Sequence, residues 1–282
     1  MNIVKTVAEV RAAVSEARTR GQRVGFVPTM GFLHRGHVSL LEAARRASGF
    51  VALSIFVNPT QFGPNEDLDR YPRDLDGDLA HARAADVDLV FTPAASEIYP
   101  PGYQTFLTVR DLEKPLCGAG RPGHFTGVAT VVNRLFNIVR PDVAFFGEKD
   151  FQQLQVIRRL VRDLELGVEI VGLPIVREPD GLALSSRNTY LSTAERASAL
   201  ALSRALFTAR DRFTAGERNA QALTRVARAI LDGEPGLRVD YLELRDAETL
   251  ALVEGAIAKH AVLAVAAFAG RTRLIDNQQL AI

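Results

Sequence analysis

The sequence has a single cysteine, almost no net charge and no long apolar run, and each absence excludes a class of protein. Cys117 has no second cysteine with which to form an intrachain disulfide. The 34 basic and 33 acidic residues leave a net charge of +1, which provides no electrostatic footprint for a nucleic acid or an anionic membrane. The longest apolar stretch, around residues 261–269, is too short to span a bilayer and fits a buried strand. Small molecules are therefore the expected partners.

The first residues lack the pattern of a signal peptide and lead into a predicted helix, so we expect a cytoplasmic protein. Strand and helix patterns alternate through the first two thirds of the chain. This alternation predicts an α/β fold, a Rossmann-like doubly wound parallel sheet. The remaining hundred or so residues predict a second, smaller α+β unit. We therefore expect two domains, at residues 1–176 and 177–282.

The most informative stretch, residues 24–47, predicts a strand, a turn and a helix. Residues 24–27 form a short apolar run that we expect Pro28 to end, and apolar residues at helical spacing follow His37. His34 and His37 lie three residues apart at the start of this helix, so both imidazoles should face the sheet. A helix N-terminus above the carboxyl edge of a parallel sheet favours phosphate groups. The first ligand that the sequence predicts is therefore a nucleotide.

Other interpretations of this stretch remain open. The spacing from Gly31 to Gly36 is that of a P-loop, but His37 and Val38 stand where that motif needs Lys and Ser or Thr. The ordinary structural explanation of two such histidines is a helix N-cap and a core histidine. A zinc site would need a third ligand, which the local sequence does not offer.

Polar residues also follow the second predicted strand, residues 50–57. Asn58 and Gln61 lie where this strand gives way to a loop, a common place for ligand-orienting groups. An Asx turn before Pro59 would account for Asn58, but it accounts less well for Gln61. Gln61 is therefore the better candidate for binding a ligand.

Two later segments carry residues suited to phosphates. Lys149 lies in a Gly-led turn before a predicted helix, where the alternative is an ordinary solvated lysine, and Gln153 begins the inward-facing line of that helix. Ser185, Ser186 and Arg187 combine two hydroxyls and a guanidinium in one short loop. Such a loop suits the oxygens of pyrophosphate.

The run Pro-Thr-Met-Gly-Phe-Leu-His-Arg-Gly-His, residues 28–37, resembles the signature of the pantothenate synthetase (pantoate–β-alanine ligase) family. Its His-x-Gly-His core is similar to the nucleotide motif of adenylyltransferases and class I aminoacyl-tRNA synthetases. Further blocks resemble the same family, in its order, at residues 54–62, 69–73, 121–128, 146–154 and 184–188. Leu184 departs from the Met expected in its block, a change that nearly conserves volume.

The resemblance implies an AMP-forming ligase of pantothenate biosynthesis. Such an enzyme condenses pantoate with β-alanine through a pantoyl-adenylate, uses ATP and Mg²⁺ and forms a homodimer. We also expect the small second domain to act as a lid, because the polar loop of residues 184–188 lies just past the domain boundary and could close over a triphosphate bound to the first domain. His37 would be the proton donor, and His34, Lys149 and Arg187 would neutralise phosphate charge. An adenylyltransferase of the same superfamily, acting on another small acceptor, is the alternative.

The resemblance also implies ligand contacts, although it assigns no protein ligand to Mg²⁺. ATP would contact Pro28, Thr29, Met30, Gly31, Phe32, Leu33, His34, Arg35, Gly36, His37, Gly147, Glu148, Lys149, Asp150, Val176, Leu184, Ser185, Ser186 and Arg187. Pantoate would contact Gln61, Gln153, Asn58 and Arg121, and β-alanine would contact Gln61.

Overall fold

The computed structural model describes residues 1–64 and 66–282, and the chain divides into two structural units. Unit 1 comprises Met1–Lys114, Gly118–Glu148 and Gln153–Pro174. Unit 2 comprises Pro115–Cys117, Lys149–Gln152 and Ile175–Ile282.

Unit 1 contains six parallel strands with helices between them. The strands are β1 (Asn2–Val4), β2 (Val24–Thr29), β3 (Phe50–Ile55), β4 (Leu89–Phe91), β5 (Val143–Gly147) and β6 (Glu169–Leu173). The helices of this part of the chain are α1 (Val7–Thr19), α2 (Arg35–Ala47), α3 (Leu75–Ala84), α4 (Ala95–Ile98), α5 (Cys117–Gly120), α6 (His124–Val139) and α7 (Phe151–Asp163).

Helices cover both faces of this sheet. Apolar residues of α1, α6 and α7 pack against one face, where Val10, Phe136 and Ile157 are buried. Residues of α2 and α3 pack against the other, where Leu41 and Leu79 are buried. The predicted doubly wound α/β fold is confirmed, and the central strands β2, β3 and β5 are mostly apolar because both faces of the sheet are covered.

The strand order places a topological switch point at the centre of the sheet. The order is β1-β4-β3-β2-β5-β6, so the chain builds outward from β2 in one direction and later from β5 in the other. Ligands of open α/β sheets bind beyond the carboxyl ends of the strands at such a point. A ligand-binding site is therefore expected at the turn after β2 and the turn after β5.

Two local predictions at the start of unit 1 were wrong. A short strand, β1, precedes the first helix and pairs with β4 at the sheet edge; three residues are too few to show a periodic pattern. Pro28 does not end β2, since it pairs in register with Ser54 of β3. On its other side β2 pairs with β5 only at Gly25 and Phe26, so the missing N–H of Pro28 interrupts no ladder there.

Unit 2 contains a three-stranded antiparallel sheet covered by two helices. The strands, in the order β7-β8-β9, are Leu237–Asp246, Ala261–Ala269 and Thr272–Leu280, and the helices are α8 (Thr193–Thr214) and α9 (Ala220–Asp232). Ser192 and Glu195 form a capping box at the start of α8. The apolar run expected to be a buried strand is β8. Among the described residues, we find no helix with both the length and the apolar character that a bilayer span requires.

Candidate active site

The turn between β2 and α2 is held by hydrogen bonds from both sides. The Thr29 hydroxyl donates to the carbonyl of Ser54 at 2.8 Å and accepts the N–H of Gly31 at 3.2 Å. Gly31 and Phe32 have left-handed backbone angles, φ +83° and +51°. Asp78 of α3 accepts the next two backbone N–H groups, those of Phe32 and Leu33. The turn that carries the signature therefore has a fixed and partly strained shape.

His34 and His37 both help to form the N-terminus of α2. His34 is the N-cap residue, and its Nδ1 accepts the N–H of Gly36 at 3.1 Å. The Nδ1 of His37 accepts the N–H of His34 at 3.3 Å, and the two ring centroids lie 4.1 Å apart. Because each Nδ1 accepts a hydrogen bond, the neutral rings carry their protons on Nε2. Helix capping thus orients two imidazole N–H donors.

Gln61 lies in a short 3-10 turn, Pro59–Gln61, directly after β3. Its Oε1 accepts from Nδ2 of Asn58 at 3.0 Å, and its Nε2 lies 3.3 Å from the sulfur of Met30. This contact joins the turn after β3 to the turn after β2. A thioether is a weak acceptor and an amide carries two N–H groups, so Gln61 retains a strong donor for a ligand oxygen.

Asn58 is only 1% exposed and is used inside the protein. Its Oδ1 accepts from the hydroxyl of Tyr99 at 2.8 Å, and its Nδ2 also donates to the carbonyl of Gly127 at 3.2 Å. A Cβ at Gly127 would collide with the carbonyl of Thr60, so only glycine lets α6 approach this closely. In the structure, Asn58 therefore orients the side chain of Gln61. Contact between Asn58 and pantoate stays a prediction.

Arg121 binds the backbone carbonyl of Gln61, whereas Asn58 binds its side chain. Its guanidinium binds Glu66 through Nε at 2.7 Å and through Nη2 at 2.5 Å, and Nη2 also donates to the Gln61 carbonyl at 3.3 Å. Nδ1 of His124 donates to the same carbonyl at 2.8 Å. Burial raises the pKa of Glu66, but the hydrogen bond and charge of Arg121 outweigh it, so the pKa lies below its usual value. Direct contact of Arg121 with pantoate stays a prediction.

The turn after β5 carries the second set of predicted residues. Gly147 ends β5, and Glu148–Asp150 forms a 3-10 turn that leads into α7. In unit 2, the carbonyl of Lys149 accepts from the side chain of Asn277 at 3.0 Å, and Lys149 Nζ lies 4.0 Å from Asp150. Gln153 is partly exposed in the first turn of α7. Lys149 is thus held through its backbone.

Within unit 2, a small hairpin brings together Val176 and Leu184, both predicted to contact ATP. The N–H of Leu184 donates to the carbonyl of Val176 at 3.0 Å, and a turn at residues 179–181 joins the two arms. Arg177 anchors the hairpin through an ion pair with the buried Asp276, at 2.6 Å. The loop that carries Arg187 is therefore anchored to the framework of unit 2.

The same loop then forms a 3-10 helix, Ser186–Tyr190, capped by Ser185. The Ser185 hydroxyl accepts the N–H of Arg187 at 3.2 Å, and Ser186 is buried. Ser185 therefore has a structural task besides the predicted contact with ATP.

The sequence interpretation missed four residues that hold the site: Asp78, Tyr99, Glu66 and His124. Asp78 binds the signature turn, Tyr99 binds Asn58 and His124 binds Gln61, and the partners lie 41 to 63 positions apart in the chain. Glu66 binds Arg121, 55 positions away. A weak signal existed only for Asp78, a carboxylate on the apolar face of α3 beside Leu79 and Ala82. Among the described residues, no three His, Cys, Asp or Glu side chains are placed to hold a metal ion.

Comparison with known proteins gives matches along the whole chain. The family model described as pantoate-beta-alanine ligase matches residues 2–279. A pantothenate synthetase from Pelobacter propionicus is 55% identical over 282 residues, covering 100% of this chain and 99% of that protein. Another from Myxococcus xanthus is 56% identical over 280 residues, covering 99% of this chain and 96% of that protein.

Solved structures agree with the sequence matches. A crystal structure of pantothenate synthetase from Thermus thermophilus superimposes with a TM-score of 0.95 at 50% identity, covering 100% of both chains. A pantoate-beta-alanine ligase from Francisella tularensis, complexed with beta-gamma ATP and β-alanine, gives a TM-score of 0.77 at 33% identity, covering 99% of this chain and 97% of that chain. Sequence and fold agree from end to end, and the chain belongs to the pantoate-beta-alanine ligase family.

Proposed function

We propose that the chain joins pantoate to β-alanine in two steps that use one ATP. The pantoate carboxylate attacks the α-phosphorus of ATP, and the bond to pyrophosphate breaks as the acyl–phosphate bond forms. The β-alanine amine then attacks the acyl carbon of the pantoyl-adenylate, loses a proton and displaces AMP. One observation carries this proposal: the family signature, residues 28–37, stands at the switch point of the parallel sheet in a chain that matches its family throughout.

Neither step needs a protein nucleophile, so the side chains have to align the reactants and neutralise charge. The Nε2–H groups of His34 and His37, beside the N-terminus of α2, suit phosphate oxygens. His37 is the proton donor in this proposal. Lys149 and Arg187 add positive charge, which stabilises the departing pyrophosphate.

The amide of Gln61 favours an uncharged, hydroxyl-bearing acceptor over a phosphorylated one. Its orientation is set by Asn58, and its remaining N–H can donate to a hydroxyl or a carboxylate. A phosphorylated acceptor would call for additional cations, whereas Arg121 beside it is already paired with Glu66. Gln61 and Gln153 therefore hold pantoate in this proposal, and Gln61 also meets β-alanine.

ATP and Mg²⁺ enter together in this proposal. The Francisella relative was crystallised with an ATP compound and β-alanine, which supports both as ligands here. The described residues offer no cluster of three metal-ligating side chains, and Mg²⁺ commonly binds through substrate phosphates and water. The ion is therefore part of the substrate, and no protein ligand is assigned to it.

A homodimer and a cytoplasmic location stay predictions, the first from the family resemblance and the second from the sequence pattern. Sedimentation of the protein at micromolar concentration tests the dimer, and a single monomeric mass would contradict it. Cell fractionation tests the location.

Product analysis tests the proposed reaction. With ATP, pantoate and β-alanine, we expect AMP and pyrophosphate in equal amounts, together with pantothenate. ADP and phosphate as products would refute an adenylate mechanism. Exchange of pyrophosphate into ATP without pantoate would instead favour the adenylyltransferase alternative.

A further inference from the structure

Asp78 is a buried carboxylate that hydrogen-bonds to backbone N–H groups of the nucleotide signature. It lies on α3, is 2% exposed, and binds two consecutive N–H groups of the turn after β2. Its Oδ2 accepts from Phe32 at 3.0 Å and its Oδ1 accepts from Leu33 at 2.5 Å. With one oxygen on each N–H, the carboxylate fixes the orientation of two adjacent peptide groups.

These two peptide groups lie in a strained part of the backbone. Gly31 and Phe32 both have positive φ, and Phe32 has a Cβ that disfavours this conformation. A Cβ at Gly31 would lie 2.8 Å from Oδ2 of Asp78 and 2.9 Å from Cγ2 of Ile55, so the turn is seated directly on the carboxylate. His34, the N-cap of α2, follows this turn immediately.

Stability alone does not explain a carboxylate at this place. Burial raises the pKa of Asp78, and hydrogen bonds from Leu33 and Phe32 only partly offset this effect. Nearby, Asp74 raises the pKa further and His81 lowers it. A group whose pKa is raised on folding destabilises the native state when it is ionised at neutral pH. The charge of Asp78 therefore lowers the stability of the folded protein, so a reason other than stability is needed for a carboxylate at this position.

We propose that Asp78 is a positioning residue for ATP: it holds the turn of residues 31–33 so that the Nε2–H groups of His34 and His37 and the N-terminus of α2 meet the phosphates. This inference rests on the proposed use of ATP. Asp78 itself touches no substrate, and its effect should appear in the binding and use of ATP while pantoate binding stays unchanged.

The test compares Asp78→Asn with Asp76→Asn, a change of the same type at an exposed position of the same helix. An amide at position 78 accepts only one of the two N–H groups. We expect kcat/KM for ATP in adenylate formation to fall about 10- to 100-fold, and the calorimetric Kd for ATP to rise, while KM for pantoate changes less than about two-fold. The melting temperature should stay within a few degrees, because relief of the buried charge offsets the lost hydrogen bond.

Three outcomes would overturn the inference. They are unchanged ATP parameters in folded Asp78→Asn, an equal loss toward ATP and pantoate, and a loss that only follows the fraction of unfolded protein. If Asp78→Asn does not fold, Asp78→Glu decides, since it keeps the charge and both acceptor oxygens but moves them by one methylene relative to the N–H groups of Phe32 and Leu33: it should weaken ATP binding, and wild-type affinity for ATP would overturn the inference. If the wild-type protein makes no AMP, the proposed function fails. The role of Asp78 is still tested by the ratio of the Kd for ATP of Asp78→Asn to that of the wild type.

Discussion

The hydrogen bonds of the two signature imidazoles cap a helix and are also compatible with the proposed contact with phosphate. The Nδ1 of His34 and of His37 accepts backbone N–H groups at the start of α2, which is the ordinary capping explanation. The same bonds place the proton of each neutral ring on Nε2, as a phosphate donor requires. The two explanations are therefore compatible, and only a functional measurement separates them.

We predict that His34→Ala and His37→Ala each lower the rate of adenylate formation about 10- to 1000-fold, the usual effect of losing one positioned donor. The variants should remain folded, because a lost helix cap costs only about 1 kcal/mol. Pyrophosphate exchange and circular dichroism measure the two properties, with His260→Ala at an exposed position as the control. Activity that falls only with the amount of folded protein would leave the histidines a structural role alone.

The ion pair between Glu66 and Arg121 predicts a pH-dependent part of the stability. Because the pKa of Glu66 is lowered on folding, its contribution is present above the unfolded value, about 4.3, and is lost as the pH falls through the folded value. We expect Glu66→Gln to lower the free energy of unfolding by about 1 kcal/mol at pH 7.

The difference between Glu66→Gln and the wild type should shrink as denaturant titrations are repeated from pH 7 down to about pH 3, and a difference independent of pH would contradict the assignment. Glu16→Gln is the control. It removes an exposed pair with Arg20 and should change stability by only a few tenths of a kcal/mol.

At the level of helices and strands, the sequence identifies the elements that are specified by patterns within a few neighbouring residues. The capping box of Thr6 and Glu9, that of Ser192 and Glu195, and the apolar runs of the central strands all specify structure within a few residues. It failed for β1, which exists only because β4 offers it an edge. It also failed at Pro28, where the partner strands decide which N–H groups are needed.

The site follows the same division. The signature turn and the turn after β3 could be located, since each follows a recognisable strand. The residues that shape them could not, because Asp78, Tyr99 and His124 reach these turns from distant parts of the chain. The spacing of residues along the chain does not show which distant residues will be in contact. Resemblance to a family can point to such residues, but it does not give the physical reason for their position.

The proposal assigns different groups of residues to each of the two units. Unit 1 carries the paired histidines and both glutamines, which the proposal assigns to ATP and pantoate. Unit 2 carries Lys149 and Arg187, the two cations proposed for the outer phosphates. Pyrophosphate leaves after the first step, so a residue that acts on it alone should matter for only one half-reaction.

Arg187→Ala tests this division. We expect pantoate-dependent exchange of pyrophosphate into ATP to fall about 100-fold or more, because a cation that stabilises the leaving pyrophosphate is lost. Attack of β-alanine on supplied pantoyl-adenylate involves no pyrophosphate and should change less than about three-fold. Arg225→Ala, which removes the same charge from an exposed position of α9, controls for charge and stability. Equal losses in both half-reactions would mean that Arg187 holds the adenylate or the fold, and its assignment to pyrophosphate would have to be abandoned.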